Sequence, residues 1–128
     1  MTDRLVGYGE IANVAGNYRF AEELSPMTDA PARPPIRSFL FVPADSERKY
    51  VKAAGTKSDA LILDLEDSVA QENLPTARDM AREYLQAKRD DRGRQQLWVR
   101  CNPLETPLAL PDLAAVLAGA PDGIILPK

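Results

Sequence analysis

From Arg37 onward the chain breaks into four short apolar runs, Ser38 to Val42, Ala60 to Leu65, Leu97 to Cys101 and Gly123 to Leu126, each bounded by turn-forming residues. Runs of this length between such boundaries predict strands. They are nearly continuous in hydrophobicity rather than alternating with polar positions, which predicts strands covered on both faces, as in a parallel sheet under helices. Between them lie three stretches with helical punctuation. The first runs from Ser46 to Ala54, with Asp45 or Ser46 placed to cap its free N–H groups and Gly55 suited to a left-handed stop. The second begins near Pro75 and sets Ala77, Met80, Ala81, Tyr84 and Leu85 on one face at three- and four-residue steps. The third begins near Pro111, turns Leu113, Val116 and Leu117 inward, and ends at Gly119. The order β-α-β-α-β-α-β predicts an α/β fold with right-handed crossovers and a parallel sheet. Four strands in series fit either half of a (β/α)₈ barrel or a small open sheet. A whole barrel takes about 250 residues, so on the barrel reading this chain of 128 residues is truncated.

Residues 1–36 show neither period, and Pro26, Pro31, Pro34 and Pro35 crowd their second half. We read them as a poorly ordered extension and linker, and 37–128 as the folded domain. Met27-Thr28-Asp29 repeats the opening Met1-Thr2-Asp3, which suits a natural start at Met27.

Composition narrows the chemistry more than the class. With 45% apolar and 27% charged residues the chain is an ordinary globular one, and its net charge of −3 gives no electrostatic ground for a nucleic acid or an anionic membrane as partner. No apolar run is long enough to span a bilayer, and Met1 to Arg4 lack the apolar core of a secretory signal, so the cytoplasm is the expected location. Cys101 is the single cysteine, which excludes an intrachain disulfide and a thiolate zinc site, and it reads as a small buried apolar residue. The absence of histidine excludes a Ser-His or Cys-His couple and a His-ligated metal. What remains is carboxylates, Arg, Lys and hard metal ions.

The richest segment is Ala60 to Asp67, an apolar strand running into three carboxylates. Period-two geometry puts Ile62, Asp64 and Glu66 on one face and Leu61, Leu63 and Leu65 on the other. In a barrel the leucines would meet the outer helices, and Asp64 and Glu66 would point toward the axis at the C-terminal mouth, where barrel enzymes keep their chemistry. Carboxylates that close repel unless a metal ion or a guanidinium lies between them; the plainer alternative is an Asp64 paired within the core beside solvated loop acids. The second segment is Leu97 to Pro103, whose strand ends in Arg100, a planar fork suited to a carboxylate. Arg100 serves as an ion-pair partner of Asp64 or Glu66, as a substrate anchor, or as both. The third is the turn Val42 to Lys49, with Arg48 and Lys49 in the first turn of a helix, where phosphate is attracted, or where two solvated cations simply sit. Lys128, at the end of the last strand candidate, faces the mouth or solvent.

The ordered series Arg37-Ser38-Phe39-Leu40-Phe41-Val42-Pro43, Leu63-Asp64-Leu65-Glu66-Asp67-Ser68-Val69, Val99-Arg100-Cys101-Asn102-Pro103-Leu104 and Asp122-Gly123-Ile124-Ile125-Leu126-Pro127-Lys128 resembles the HpcH/HpaI aldolase and citrate lyase β-subunit family over Arg37 to Lys128. The resemblance implies the first four βα units of a (β/α)₈ barrel. It implies a Mg²⁺-dependent carbon–carbon lyase of 3-hydroxyacyl-CoA thioesters of the citryl-, malyl- or citramalyl-CoA kind. An acyl-CoA thioesterase, a pyruvate-type aldolase and a non-catalytic assembly fragment are the alternatives. By the same resemblance Arg100 holds the keto-acid carboxylate, Asp64 and Glu66 support the metal site, and Arg48 and Lys49 lie near the CoA phosphates. The Mg²⁺ ligands are expected beyond Lys128, so that the chain alone is inactive. A homo-oligomer, trimer or hexamer, is implied, with a lid contributed by a neighbouring subunit. Pro43-Ala44 departs from the family's common Pro-Gly after the first strand.

Overall fold

A computed structural model of the chain describes residues 34–128; the expectations for the leading extension and for Met27 fall outside them, apart from residues 34–36. The contacts of the chain separate Met1–Pro34 from Pro35–Lys128, and the second unit is the one described. It runs β1 (Phe39–Pro43), α1 (Glu47–Ala54), β2 (Ala60–Asp64), α2 (Leu74–Ala87, entered through a 3-10 turn at Gln71–Asn73), β3 (Gln96–Arg100), α3 (Ala109–Leu117) and β4 (Gly123–Ile125). The four strands form one parallel sheet in sequence order, β1-β2-β3-β4. Each strand lies within a residue or so of the run that predicts it.

The two faces of the sheet differ in what covers them. Leu61, Leu63 and Leu65 share a core with Val42, Leu97 and Val99 from the neighbouring strands and with Ala77, Ala81, Leu85 and Val116 from α2 and α3. Full burial of each of the larger aliphatic side chains is worth about 1.5–3 kcal/mol. Ala77 and Ala81, one helical turn apart and wholly buried, let α2 approach the sheet closely. On the other face Phe39 and Phe41 are exposed, and the Phe39 ring meets Trp98 edge-on with 5.8 Å between centroids. β2, in the middle, is buried throughout.

Several local expectations are corrected. Ser46 occupies the N-cap of α1, but no side chain caps the helix there; its backbone carbonyl accepts from Lys49 and Tyr50. Gly55 is right-handed (φ −79), and Thr56 stops α1, with both its N–H and its hydroxyl donating to the Ala53 carbonyl. α3 starts at Ala109, ahead of Pro111, and its buried stripe is Ala109, Asp112 and Val116, whereas Leu117 is exposed. The rotation follows from Asp112, which binds inside the protein and takes an inward position that a hydrophobicity count gives to leucine. After α3 the residue with positive φ is Ala120 (φ 52), and Arg89 and Arg92 donate to the carbonyls of Ala118, Gly119 and Ala120. Among the described residues no helix is long and apolar enough to cross a membrane.

Candidate active site

Register brings the chemistry to one row. Pro43 stands beside Asp64, Asp64 beside Arg100, and Arg100 beside Ile125, all at the C-terminal ends of their strands. Arg100 grips Asp64 with two parallel hydrogen bonds, Nε to Oδ1 at 2.8 Å and Nη2 to Oδ2 at 2.9 Å. Such a bidentate pair combines charge with fixed geometry. Asp64 also accepts from the backbone N–H of Glu66 and Ser68 and from the Ser68 hydroxyl. Burial by itself pushes the Asp64 carboxyl up; the bonds from Arg100, Ser68 and the Glu66 N–H outweigh it and hold the group below the usual carboxylate range. The hydrogen bond to Asp64, helped by the charges of Asp64, Glu66 and Asp67, holds the guanidinium above its ordinary value against a smaller cost of burial.

Glu66 and Asp67 complete the ring of acids around Arg100. Glu66 Oε2 lies 3.2 Å from Arg100 Nε and Asp67 Oδ2 lies 3.5 Å from Nη2. The Nε hydrogen is directed at Asp64, so the contact with Glu66 is an attraction between charges, and Glu66 Oε2 is buried without an aligned donor. The guanidinium carbon sits 4.6 Å over the Phe41 ring, a cation–π contact that fixes the plane of the fork. Among the described residues the Nη1 hydrogens of Arg100 have no hydrogen-bond partner. Of the two roles open to Arg100, that of ion-pair partner is present in the structure. Asp64, by contrast, has both oxygens fully engaged.

The remaining candidates stand apart from this group. Arg48 and Lys49 are exposed on the first turn of α1, with no ion pair among the described residues. Lys128 is exposed beyond the end of β4. Cys101 is buried, as expected, and its thiol is pushed up to about 12 by burial and by the nearby Asp112 charge, with Arg78 acting in the opposite sense. Ala44 fits the turn where the resemblance leads one to look for glycine: it is wholly buried, donates its N–H to the Asp64 carbonyl, and accepts the Tyr50 hydroxyl at 2.6 Å.

A second polar cluster was not singled out from sequence. Asp112 is wholly buried; Arg78 Nε donates to its Oδ1 at 2.7 Å, and Asn102 donates to its Oδ2 through both backbone N–H (2.8 Å) and Nδ2 (2.7 Å). Asn102 Nδ2 also donates to the Leu65 carbonyl at 3.0 Å. The signal available was the break that Asp112 makes in an otherwise apolar α3.

Among the described residues no group of three or more His, Cys, Asp or Glu side chains is arranged to hold a metal ion. The acids that gather at the strand ends enclose a guanidinium instead, and Asp64 has no acceptor position to spare. These residues by themselves do not fit a magnesium ion as its ligand set.

An α/β protein with a parallel sheet and an acid-pinned arginine at its strand ends is the class that fold and site define. The HpcH/HpaI aldolase/citrate lyase family model matches residues 37–128, and the chain belongs to that family. It is 40% identical over 94 residues to a (3S)-malyl-CoA thioesterase of Cereibacter sphaeroides, covering 73% of this chain and 32% of the relative. It is 37% identical over 102 residues to an L-malyl-CoA/β-methylmalyl-CoA lyase of the same species, covering 77% of this chain and 31% of that one. The crystal structure of protein CitE from Mycobacterium tuberculosis in complex with magnesium, acetoacetate and coenzyme A superposes with a TM-score of 0.61 at 36% identity, over 76% of this chain and 34% of that one. The chain thus spans about a third of the length of the relatives it matches.

Proposed function

We propose that this chain is the part of a CoA-ester lyase that supplies its keto-acid anchor, and that β1–β4 are the first four strands of an eight-stranded barrel. The observation that carries the reading is Arg100, held rigid by Asp64 and Phe41 at the strand ends with its Nη1 edge unengaged. Support for the barrel comes from the all-parallel sequential order of the strands and from the apolar face carrying Phe39 and Phe41, which suits a barrel interior. The reaction is cleavage of a 3-hydroxyacyl-CoA thioester. The C3 hydroxyl loses its proton, the C2–C3 bond breaks with its electron pair passing to C2, and the acetyl-CoA enolate leaves a keto acid. Citryl-CoA would give oxaloacetate and malyl-CoA glyoxylate.

In this reading Arg100 binds the carboxylate of the departing keto acid and orients the C2–C3 bond. Glu66, with its under-bonded Oε2, lies beside it as a supporting carboxylate, and Asp64 acts by holding Arg100. Arg48 and Lys49 lie at the same end of the sheet, where the phosphates of CoA would pass. Magnesium belongs to the reading through the CitE complex, with ligands outside residues 34–128, where it would stabilise negative charge on oxygen; no step above is routed through it. Assembly into a homo-oligomer is part of the same reading. The thioesterase name of one relative favours a second reading, hydrolysis of the same esters on the same scaffold. Free thiol released from malyl-CoA without glyoxylate would single it out.

The test uses Trp98, the single tryptophan, which shares β3 and its face with Arg100. Titration with oxaloacetate is expected to change its fluorescence saturably, and Arg100→Lys to weaken that binding severely, because Lys keeps the charge but loses both the two-point grip on Asp64 that fixes the group and the Nη1 hydrogens left over from it. In the complete enzyme the same substitution is expected to lower turnover by about a hundredfold or more, equivalent to roughly 2–4 kcal/mol. A variant that melts lower yet binds oxaloacetate as tightly would leave Arg100 a structural residue only.

A further inference from the structure

The strand ends are tied together on both faces of the sheet. On one face Arg100 bonds Asp64; on the other, under the helices, Asp112 gathers Arg78 and Asn102, and Asn102 reaches the Leu65 carbonyl. Leu65 is thereby held from both sides, since its own N–H donates to the Arg100 carbonyl at 3.0 Å. Leu65 lies between Asp64 and Glu66, and Asn102 lies two residues beyond Arg100. The cluster therefore fixes the backbone from which both mouth residues project.

Stability alone does not account for it. An ion pair whose acid is wholly buried and whose arginine is mostly so is costly to desolvate, and replacing a buried pair by well-packed apolar residues is often neutral or stabilising. In the inward stripe of α3 the acid stands between two apolar residues, Ala109 and Val116, where the helical pattern alone would call for a leucine. A leucine has no oxygen to receive Asn102. The carboxylate does this with one oxygen while Arg78 holds the other, and Arg78 also donates to the Leu108 carbonyl at the start of α3. Such an arrangement tolerates little movement, because a displacement of half an ångström would lengthen several short bonds at once.

We propose that Asp112, anchored by Arg78, is a positioning residue that sets where Arg100 and Glu66 stand, acting through Asn102 and Leu65; its bearing on keto-acid binding rests on the reading of the site given above. The test is made on the full chain labelled with ¹⁵N. The Arg100 Nε–H resonance and its exchange with water report the bond to Asp64 directly, whatever the substrate. Asp112→Asn and the milder Asn102→Ser are expected to shift the Arg100 Nε–H and Glu66 amide signals and to speed Nε–H exchange at least tenfold. Both are also expected to weaken oxaloacetate binding, read by Trp98 fluorescence, at least fivefold. Leu85→Ala, which opens the core away from the mouth, is the control for lost stability and is expected to lower the melting temperature with these signals unmoved. If Asp112→Asn does not fold, Asn102→Ser against Leu85→Ala decides. Arg100 and Glu66 signals unchanged in the variant, or moved as far by Leu85→Ala, would overturn the proposal. Signals that respond to Asn102→Ser in a chain whose wild type binds no oxaloacetate would uphold the positioning role and sink the keto-acid reading instead.

Discussion

Asp64 accepts hydrogen bonds from five donors, the N–H of Glu66 and Ser68, the Ser68 hydroxyl, and Nε and Nη2 of Arg100. A carboxylate so engaged stays charged in the folded chain at a pH where the unfolded chain already takes up a proton. Its folded pKa is depressed, so it contributes stability above the unfolded value of about 4, and that contribution is lost as pH falls below it. Asp59, bonded by Arg37 through side chain and backbone and lowered to about 2, acts in the same direction. We expect urea midpoints to decline as pH drops from about 4 toward about 2, and Asp64→Asn to flatten part of that decline. The same variant weakens a largely buried pair while Glu66 and Asp67 still face the guanidinium, and should lose about 1–3 kcal/mol at neutral pH; a loss under 1 kcal/mol would mean that the pair is not what fixes the mouth. At this scale the sequence showed that acids at the end of β2 need a cation between them and that Arg100 was a candidate. Whether the cation was metal or guanidinium depended on the register of β2 against β3, which no spacing within either strand contains.

Helix α2 illustrates what a local pattern can and cannot carry. Its inward face, with Ala77, Ala81 and Leu85 fully buried and Met80 and Tyr84 packed at its margin, is the face that three- and four-residue steps predict. The end of α3 is different, because the turn there is shaped by its neighbour. A Cβ built on Gly119 would stand 2.5 Å from the Leu85 Cβ, an atom fixed to the α2 backbone that cannot swing aside. Gly119→Ala is therefore expected to destabilise the chain by about 1–3 kcal/mol through overpacking, measured by urea denaturation; a neutral result would show that α2 and α3 adjust freely. Gly123 faces a similar constraint from the Trp98 ring beside it in the sheet. The sequence assigned Gly119 to a helix stop, which a single helix suffices to explain, whereas its contact with Leu85 requires two helices packed together.

Among the described residues, one face of the sheet is covered by helices and the other presents Phe39 and Phe41 at 47% and 50% exposure. Apolar side chains that open, beside the outer edges of β1 and β4, which pair with no other strand among the described residues, recruit other strands and surfaces. The chain is expected to associate in a concentration-dependent way, and sedimentation velocity is the measurement. Phe41→Ser should reduce the association, though it also removes the ring beneath Arg100. A monodisperse monomer across the range would count against the half-barrel reading.

The sequence by itself determined the alternation of strands and helices, the parallel sheet, the core face of β2, the burial of Cys101 and the family, because each rests on residues close in the chain or on short motifs in a set order. Tertiary structure decided the remainder. It set Asp64 against Arg100, turned Asp112 inward in place of Leu117, and joined Arg78, Asn102 and Leu65 around that acid. The physical reason is common to all three: a buried charge is tolerated only where partners meet it, and those partners come from elements 10 to 37 residues away along the chain.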